Sequence, residues 1–175
     1  MLNLKLALFK IKNFLIIIKS RLLKKKISLI YKENKKNFEK LIENKSFSHK
    51  WFLNNFEIFS HYLPKELNKE FSYLEIGSFE GLSALNILSN YPNSKVTVID
   101  LWSESNLNSE SLEVNFIEVE KRFDENLKGY NFIKIKKDSV IALRELLKKR
   151  IFFDLIYIDG SHNGEDILSD AIESY

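Results

Sequence analysis

Hydrophobic and polar positions follow two different periods along the second half of the chain. Short apolar runs predict strands, and the segments between them have the spacing of helices. The predicted strands are residues 73–76, 95–100, 131–135 and 153–159, and the predicted helices are 82–89, 109–127, 140–149 and 165–175. Strands alternating with helices predict an α/β fold, in which ligands bind outside the carboxyl ends of the parallel strands.

The first thirty residues have an amphipathic pattern of their own. On a helix, six apolar residues share one face, and a lysine recurs every seventh residue on another. The longest charge-free stretch runs only from Asn13 to Ile18, whereas a membrane span needs about 20 mostly apolar residues. Neither a transmembrane helix nor a cleavable signal peptide is expected. Two interpretations stay open for residues 2–30: a helix on an anionic membrane surface, or a helix packed on its own domain or a partner chain.

The region between this segment and the first predicted strand has two parts. Residues 32–50 are polar and rich in Lys and Asn, which predicts a solvated linker or an exposed helix. Residues 51–59 carry aromatics at helical spacing and predict a packed helix that ends before Pro64, with its aromatics in the core. We therefore expect a basic helical extension and linker over residues 1–46 and a single domain over 47–175.

Composition narrows the chemistry and the compartment. Cysteine is absent, which excludes disulfides, Cys-based zinc sites and thiol catalysis, and fits a reducing compartment. Residues 1–50 hold 14 Lys and Arg against 3 Asp and Glu. Because Lys, Asn and Ile are abundant throughout, as in proteins of A+T-rich genomes, this charge does not predict a nucleic-acid partner. A cytoplasmic location is expected, and the membrane-surface interpretation of residues 2–30 would place the protein at the inner face of a membrane.

A glycine turn and an acidic residue mark the ends of the first two strands. Gly77 follows the first strand, and Asp100 ends the second about 20 residues later, a relation typical of proteins that bind a nucleoside-containing ligand. A purely structural turn is the alternative. Glu75 replaces the first glycine of a dinucleotide fingerprint, and the next glycine is Gly81, so an NAD-dependent oxidoreductase is disfavoured. No Gly-Lys-Ser/Thr follows, which excludes a P-loop.

Four ordered motifs resemble those of class I S-adenosylmethionine-dependent methyltransferases. They are Glu-Ile-Gly-Ser-Phe-Glu-Gly-Leu-Ser at 75–83, Val-Ile-Asp-Leu-Trp at 98–102, Lys-Asp-Ser at 137–139 and Phe-Asp-Leu-Ile-Tyr-Ile-Asp-Gly-Ser-His at 153–162. Within that family they resemble the O-methyltransferases of sugars and small molecules that carry an IDGSH fourth strand. Trp51-Phe52-Leu53-Asn54-Asn55 is similar to the lead-in helix of this subgroup, so the resemblance covers residues 47–175.

The resemblance implies a Rossmann-like, doubly wound parallel sheet and a set of cofactor-binding residues. Asp100 would hold the ribose, Trp102 would lie over the adenine, and the glycine turn would border the methionine part. The full set of cofactor residues is Glu75, Gly77, Ser78, Gly81, Ser83, Asp100, Trp102, Asp138 and Ser139.

The resemblance also implies two residues at the reacting end. Asp159 would lie beside the transferred methyl group, where metal-dependent relatives place a Mg²⁺ ligand. His162 is then the candidate general base for an accepting hydroxyl, because an imidazole titrates near neutral pH. The expected reaction is methylation of a hydroxyl on a sugar, glycan or other small polar acceptor.

Several candidates have structural alternatives. Glu75 is also placed to face a helix N-terminus, Trp102 to be a core aromatic, and His162 to be a polar surface group. Ser139 is also a candidate N-cap of the next helix, with Asp138 just outside it.

The sequence supplies four of the seven strands that the resemblance implies. The expectation from this is a truncated gene or a partial sequence, and the remaining metal ligands would lie in the missing part. It also motivates a second hypothesis, a non-catalytic, membrane-associated remnant or interaction module.

Overall fold

A computed structural model describes residues 32–63, 69–103, 115–161 and 163–175. The amphipathic segment predicted over residues 2–30 lies outside the described residues, and so does His162. Within the described ranges, no helix is both long and apolar enough to cross a membrane.

The described chain divides into two compact units, the smaller of which contains residues 32–43 and 53–62. Helix α1 covers residues 32–41, and helix α2 covers Phe52–Tyr62. Phe38 and Ile42 are buried, and the Phe38 ring stacks on Phe56 with centroids 5.6 Å apart. The segment predicted as a solvated linker or exposed helix is therefore helical over 32–41, but part of it belongs to a core.

The aromatics predicted to be core residues of α2 divide into two groups. Phe52, Phe56 and Phe59 are buried as expected, whereas Trp51 is 50% exposed. The prediction that Trp51 is a core residue is wrong, because Trp51 precedes the first turn of α2 rather than lying on its buried side.

The larger unit contains the described residues of 44–52, 63, 69–103, 115–161 and 163–175, and it is built on a four-stranded sheet. Its strands are β1 (Ser72–Ile76), β2 (Lys95–Asp100), β3 (Ile133–Lys136) and β4 (Leu155–Ile158). Its helices are α3 (Leu82–Asn90), α4 (Phe116–Asn126), α5 (Ser139–Lys148) and α6 (Gly164–Ser174). The α4 helix begins later than predicted, because Asn115 is its N-cap and accepts the amides of Ile117 and Glu118.

All four strands are parallel and lie in the order β3-β2-β1-β4. Glu75 of β1 is in register with Val98 of β2 and with Tyr157 of β4, so the strand ends reach the same edge of the sheet. The predicted fold class, an α/β fold with a Rossmann-like parallel sheet, is confirmed.

Alternate residues of β1 face different helices, as expected for a strand buried on both sides. Leu74 and Ile76 belong to a core cluster with Ala142, Leu143 and Leu146 of α5. The Glu75 side chain points the other way and accepts a hydrogen bond from Ser83 of α3. Helices therefore cover both faces of β1, and a carboxyl group lies inside one of these interfaces.

Candidate functional site

The glycine turn after β1 is set by contact with another part of the chain. Gly77 has φ +80°, and its N–H donates to the Ile99 carbonyl at 2.9 Å. A Cβ at this position would lie 2.2 Å from the Cα of Gly160 and 2.5 Å from the carbonyl oxygen of Asp159. Gly77 is therefore required by the close approach of the segment that follows β4.

The second glycine of the motif faces α4. Gly81 has φ +82° and precedes α3, and its N–H donates to the Ser78 carbonyl at 2.7 Å. A Cβ here would lie 3.0 Å from a ring carbon of Phe123 and 3.1 Å from a methyl group of Leu127. The predicted cofactor role of Gly81 stays a prediction, beside a packing role that the structure shows.

Asp100 lies at the carboxyl end of β2 and is bonded to the glycine turn. Its Oδ2 accepts the amide of Ser78 at 2.8 Å and that of Phe79 at 2.9 Å, and its Oδ1 accepts the amide of Trp102 at 2.9 Å. Burial raises the pKa of this carboxyl above its ordinary value, although the backbone hydrogen bonds oppose the change. Asp100 is thus hydrogen-bonded to the two residues that follow Gly77, and its role in binding a ribose stays a prediction.

Glu75 is fully buried beneath this turn and is surrounded by hydroxyl groups. Its Oε1 accepts the hydroxyls of Ser78 and Ser83, the latter at 2.8 Å, and its Oε2 accepts the Tyr73 hydroxyl at 2.7 Å. Burial raises the pKa of Glu75 to about 7, against the lowering effect of these three hydrogen bonds. Glu75 therefore ties β1, the turn and α3 together, and it titrates near neutral pH.

Trp102 has the surroundings of a core aromatic. It is 3% exposed, and its indole N–H donates to the Phe79 carbonyl at 2.9 Å. Its ring lies 4.7 Å from that of Phe123, and the Lys134 ammonium lies 4.5 Å from the ring centroid. Stacking on adenine stays a prediction, whereas the structural alternative matches what surrounds the ring.

Asp138 and Ser139 lie at the start of α5, after β3. Asp138 is the N-cap and accepts the Ile141 amide at 3.2 Å, which corrects the alternative that named Ser139 as the cap. The Ser139 hydroxyl hydrogen-bonds Asp170 of α6, a carboxyl whose pKa is raised by burial. Asp138 is exposed at the sheet edge, and the Ser139 hydroxyl links α5 to α6. Their roles beside the adenine stay predictions.

Asp159 lies where β4 ends, beside the glycine turn. Its amide donates to the Ile76 carbonyl at 2.8 Å, and its exposed carboxylate accepts the Tyr157 hydroxyl at 3.0 Å. In the part of the chain that the structure describes, no group of three or more His, Cys, Asp or Glu side chains could hold a metal ion. Mg²⁺ binding by Asp159 and proton transfer by His162 stay predictions.

A comparison with known protein families supports the interpretation of this parallel sheet, with its glycine turn and the acidic residues that end its strands. A family profile described as "Methyltransferase domain" matches residues 74–174, more than half of the chain. The chain belongs to this methyltransferase family. A search of the curated proteins found no match.

The methyltransferase domain contains a buried polar network that the sequence did not reveal. Glu80 is 1% exposed and pairs with Arg122 of α4 at 2.8 Å. Its carboxylate also accepts the amide of Ser48 at 2.6 Å and the Ser48 hydroxyl at 2.7 Å. The sequence contains one local signal for this network: Glu80 is a charged residue directly before Gly81 and the buried helix α3.

Asn126 at the end of α4 extends this network to residues 45 and 46. Its amide nitrogen donates to the carbonyls of Ser46 at 2.8 Å and Glu80 at 3.0 Å, and its side-chain oxygen accepts the Ser46 amide at 3.0 Å. Lys45 donates to the Asn126 carbonyl. Residues 45–48 are thereby attached to α4 and the glycine turn of the methyltransferase domain, in a segment predicted to be a solvated linker or an exposed helix.

Proposed function

We propose that this methyltransferase domain transfers a methyl group from S-adenosylmethionine to a hydroxyl of a small polar acceptor such as a sugar. The observation that carries the proposal is the direct bonding of Asp100 to the Ser78 and Phe79 amides of the glycine turn. It joins an acidic residue at the end of β2 to the turn after β1, which is the arrangement that binds a ribose in Rossmann-like folds.

Backbone hydrogen bonds orient the Asp100 carboxylate at the end of β2. The amides of Ser78, Phe79 and Trp102 bond both of its oxygens, and Leu101 adds a further backbone hydrogen bond. Because Asp100 is partly exposed, we expect a ribose hydroxyl to bind at an oxygen of this oriented carboxylate. When bound, the cofactor supplies a methyl group activated by a positively charged sulfur.

The residues at the end of β4 support the reacting end of the site. Asp159 follows the strand that pairs with β1, and its backbone lies against Gly77. Its carboxylate is exposed and oriented by the Tyr157 hydroxyl, so it can accept a hydrogen bond from an acceptor hydroxyl. The choice of a hydroxyl acceptor, like the roles of His162 and Mg²⁺, rests on the resemblance of residues 153–162 to O-methyltransferase motifs.

Titration calorimetry of the whole chain with S-adenosylhomocysteine tests the proposal. We expect binding, and we expect Asp100→Ala to weaken it by about 1 to 3 kcal/mol, the cost of losing hydrogen bonds to a charged group. Asp154→Ala is the matched control, because Asp154 also accepts a backbone amide, that of Ser72, but at the opposite end of β1. The control should leave the affinity unchanged.

Two outcomes would contradict the proposal. One is the absence of S-adenosylhomocysteine binding by the folded wild-type chain. The other is equal affinity of the wild type and a folded Asp100→Ala variant, which would remove the ribose assignment. Binding of NAD in place of S-adenosylhomocysteine would instead favour an oxidoreductase.

A further inference from the structure

Three aromatic rings form a surface next to the glycine turn, which we call the aromatic shelf: His49, Trp51 and Phe79. The His49 ring stacks on Trp51 with centroids 4.3 Å apart and an interplanar angle of 21°. The Phe79 ring lies 5.3 Å from Trp51 and 6.3 Å from His49. Trp51 is 50% exposed, so part of a large aromatic side chain supported by two other rings remains open to solvent.

The orientation of His49 is fixed by a chain of hydrogen bonds. Its Nδ1 lies 3.0 Å from the Ser48 hydroxyl oxygen, and that hydroxyl lies 2.7 Å from Oε1 of Glu80. Paired with Arg122, the Glu80 carboxylate only accepts hydrogen bonds, so the single hydroxyl proton of Ser48 goes to Glu80. The Ser48 oxygen must then accept the proton on Nδ1 of His49.

This chain of hydrogen bonds assigns a proton to Nδ1 of His49, which leaves Nε2 as the acceptor nitrogen of the neutral ring. In a neutral imidazole with Nδ1 protonated, Nε2 carries a lone pair and accepts hydrogen bonds. No residue in the described ranges hydrogen-bonds Nε2. The aromatic shelf therefore combines an apolar ring surface with a hydrogen-bond acceptor beside it.

The aromatic shelf is attached to the cofactor side of the proposed site through the Phe79 backbone. The Phe79 amide donates to Asp100 at 2.9 Å, and its carbonyl accepts the Trp102 indole N–H at 2.9 Å. Phe79 also has φ +51°, a conformation that a non-glycine residue adopts only when its surroundings hold it there. The backbone that carries the Phe79 ring is thus held in the same turn that contacts Asp100.

We propose that the aromatic shelf binds the acceptor, which is a ring with one apolar face and a hydroxyl at its edge. The ring packs on the exposed part of Trp51, beside the stacked His49, and a hydroxyl at its edge donates to Nε2 of His49. A pyranose sugar and a phenol share this chemistry. The inference rests on the proposed function, because it assigns the acceptor of the same methyl transfer.

Titration of the whole chain with two probe rings, monitored by saturation-transfer NMR, tests whether the aromatic shelf binds the acceptor. The probes are methyl β-D-glucopyranoside and catechol, and binding of one or the other identifies which ring class fits. Trp51→Ala removes the stacking surface, and His49→Phe keeps a ring but removes Nε2. We expect each variant to weaken binding of the preferred probe by about tenfold or more. Phe152→Ala is the control, because Phe152 is an exposed aromatic residue outside the shelf, 71% exposed, and its loss should change nothing.

The inference is overturned if neither probe binds the wild-type chain, or if Trp51→Ala binds as well as the wild type. Weakening by Trp51→Ala but not by His49→Phe overturns the assigned hydrogen bond. Calorimetry with S-adenosylhomocysteine on the same proteins separates the two proposals. If S-adenosylhomocysteine binds normally but neither probe binds at the aromatic shelf, only the inference is removed. If a probe binds but S-adenosylhomocysteine does not, the proposed function is removed.

Discussion

The Cα atom of Gly160 lies where the side chain of any other residue at position 77 would begin, 2.2 Å from the ideal Cβ site. The approach is asymmetric, because a Cβ on Gly160 would meet nothing nearer than 3.7 Å. The glycine turn therefore holds the ends of β1 and β4 against each other, in addition to any contact with a ligand. A glycine at this position is by itself no evidence for a cofactor.

Replacement of Gly77 by alanine should therefore be far more costly than replacement of another glycine with positive φ. Gly77→Ala adds a backbone clash to the strain of φ +80°, and we expect a loss of more than about 3 kcal/mol in the free energy of unfolding, or an insoluble chain. Urea unfolding monitored by circular dichroism measures the loss.

Gly129→Ala is the matched control for this substitution. Gly129 has φ +91°, but a Cβ there would have no atom within 4 Å, so only the conformational cost of about 1 kcal/mol is expected. Gly160→Ala should also fold. Equal losses for Gly77→Ala and Gly129→Ala would show that the chain after β4 does not restrict position 77.

The pKa of Glu75 gives the protein a pH-dependent stability. The pKa is about 7 in the folded chain and 4.5 ordinarily, so between these values the folded state holds a proton that the unfolded state has released. The free energy of unfolding should therefore decrease as pH rises through this window. Glu75 contributes up to about 3 kcal/mol to this decrease.

The variant Glu75→Gln, which cannot ionise, isolates this contribution. Urea unfolding at pH 5 and pH 8 should show a smaller decrease for Glu75→Gln than for the wild type. Glu165→Gln makes the same chemical change at an exposed position in α6 and should keep the wild-type decrease. The same decrease in all three proteins would contradict the assignment of a raised pKa to Glu75.

The ion pair of Glu80 and Arg122 should contribute more to stability than an exposed pair does. Arg122→Met leaves the 1%-exposed Glu80 carboxylate without its guanidinium, and we expect a loss of about 1 to 3 kcal/mol in the free energy of unfolding. Amide exchange at Ser48, which donates to Glu80, should become faster. Arg144→Met breaks the exposed pair with Glu173 and should have the smaller effect. A larger loss of stability for Arg144→Met than for Arg122→Met would contradict a greater contribution of the buried Glu80 pair.

The strands show how far local pattern determines the fold. The bounds of β2 agree with prediction, because Lys95–Asp100 is an apolar run that follows a clear turn. For β3 the prediction was 131–135, whereas pairing with β2 extends from Ile133 to Lys136. For β4 the prediction of 153–159 exceeded the four residues that pair with β1. The ends of these outer strands are set by the neighbouring strand, which local pattern does not contain.

The site divides in a similar way. Glu75, Gly77 and Asp100 could be located from the sequence because strand ends in a parallel sheet meet at one edge. No sequence motif pointed to His49, and the helical spacing of residues 51–59 placed Trp51 in the core. The roles of Ser48 and Asn126 depend on partners 32 and 80 residues away, and no local spacing predicts such contacts.

Those long separations have a consequence for the order in which the protein acquires its shape during synthesis. Ser46 is fixed by Asn126, which leaves the ribosome 80 residues later, and Glu80 receives its guanidinium only when Arg122 has emerged. Non-local contacts form after the local ones that bring them together. Residues 45 and 46 are translated long before α4, yet they can form their hydrogen bonds with Asn126 only after α4 has been made.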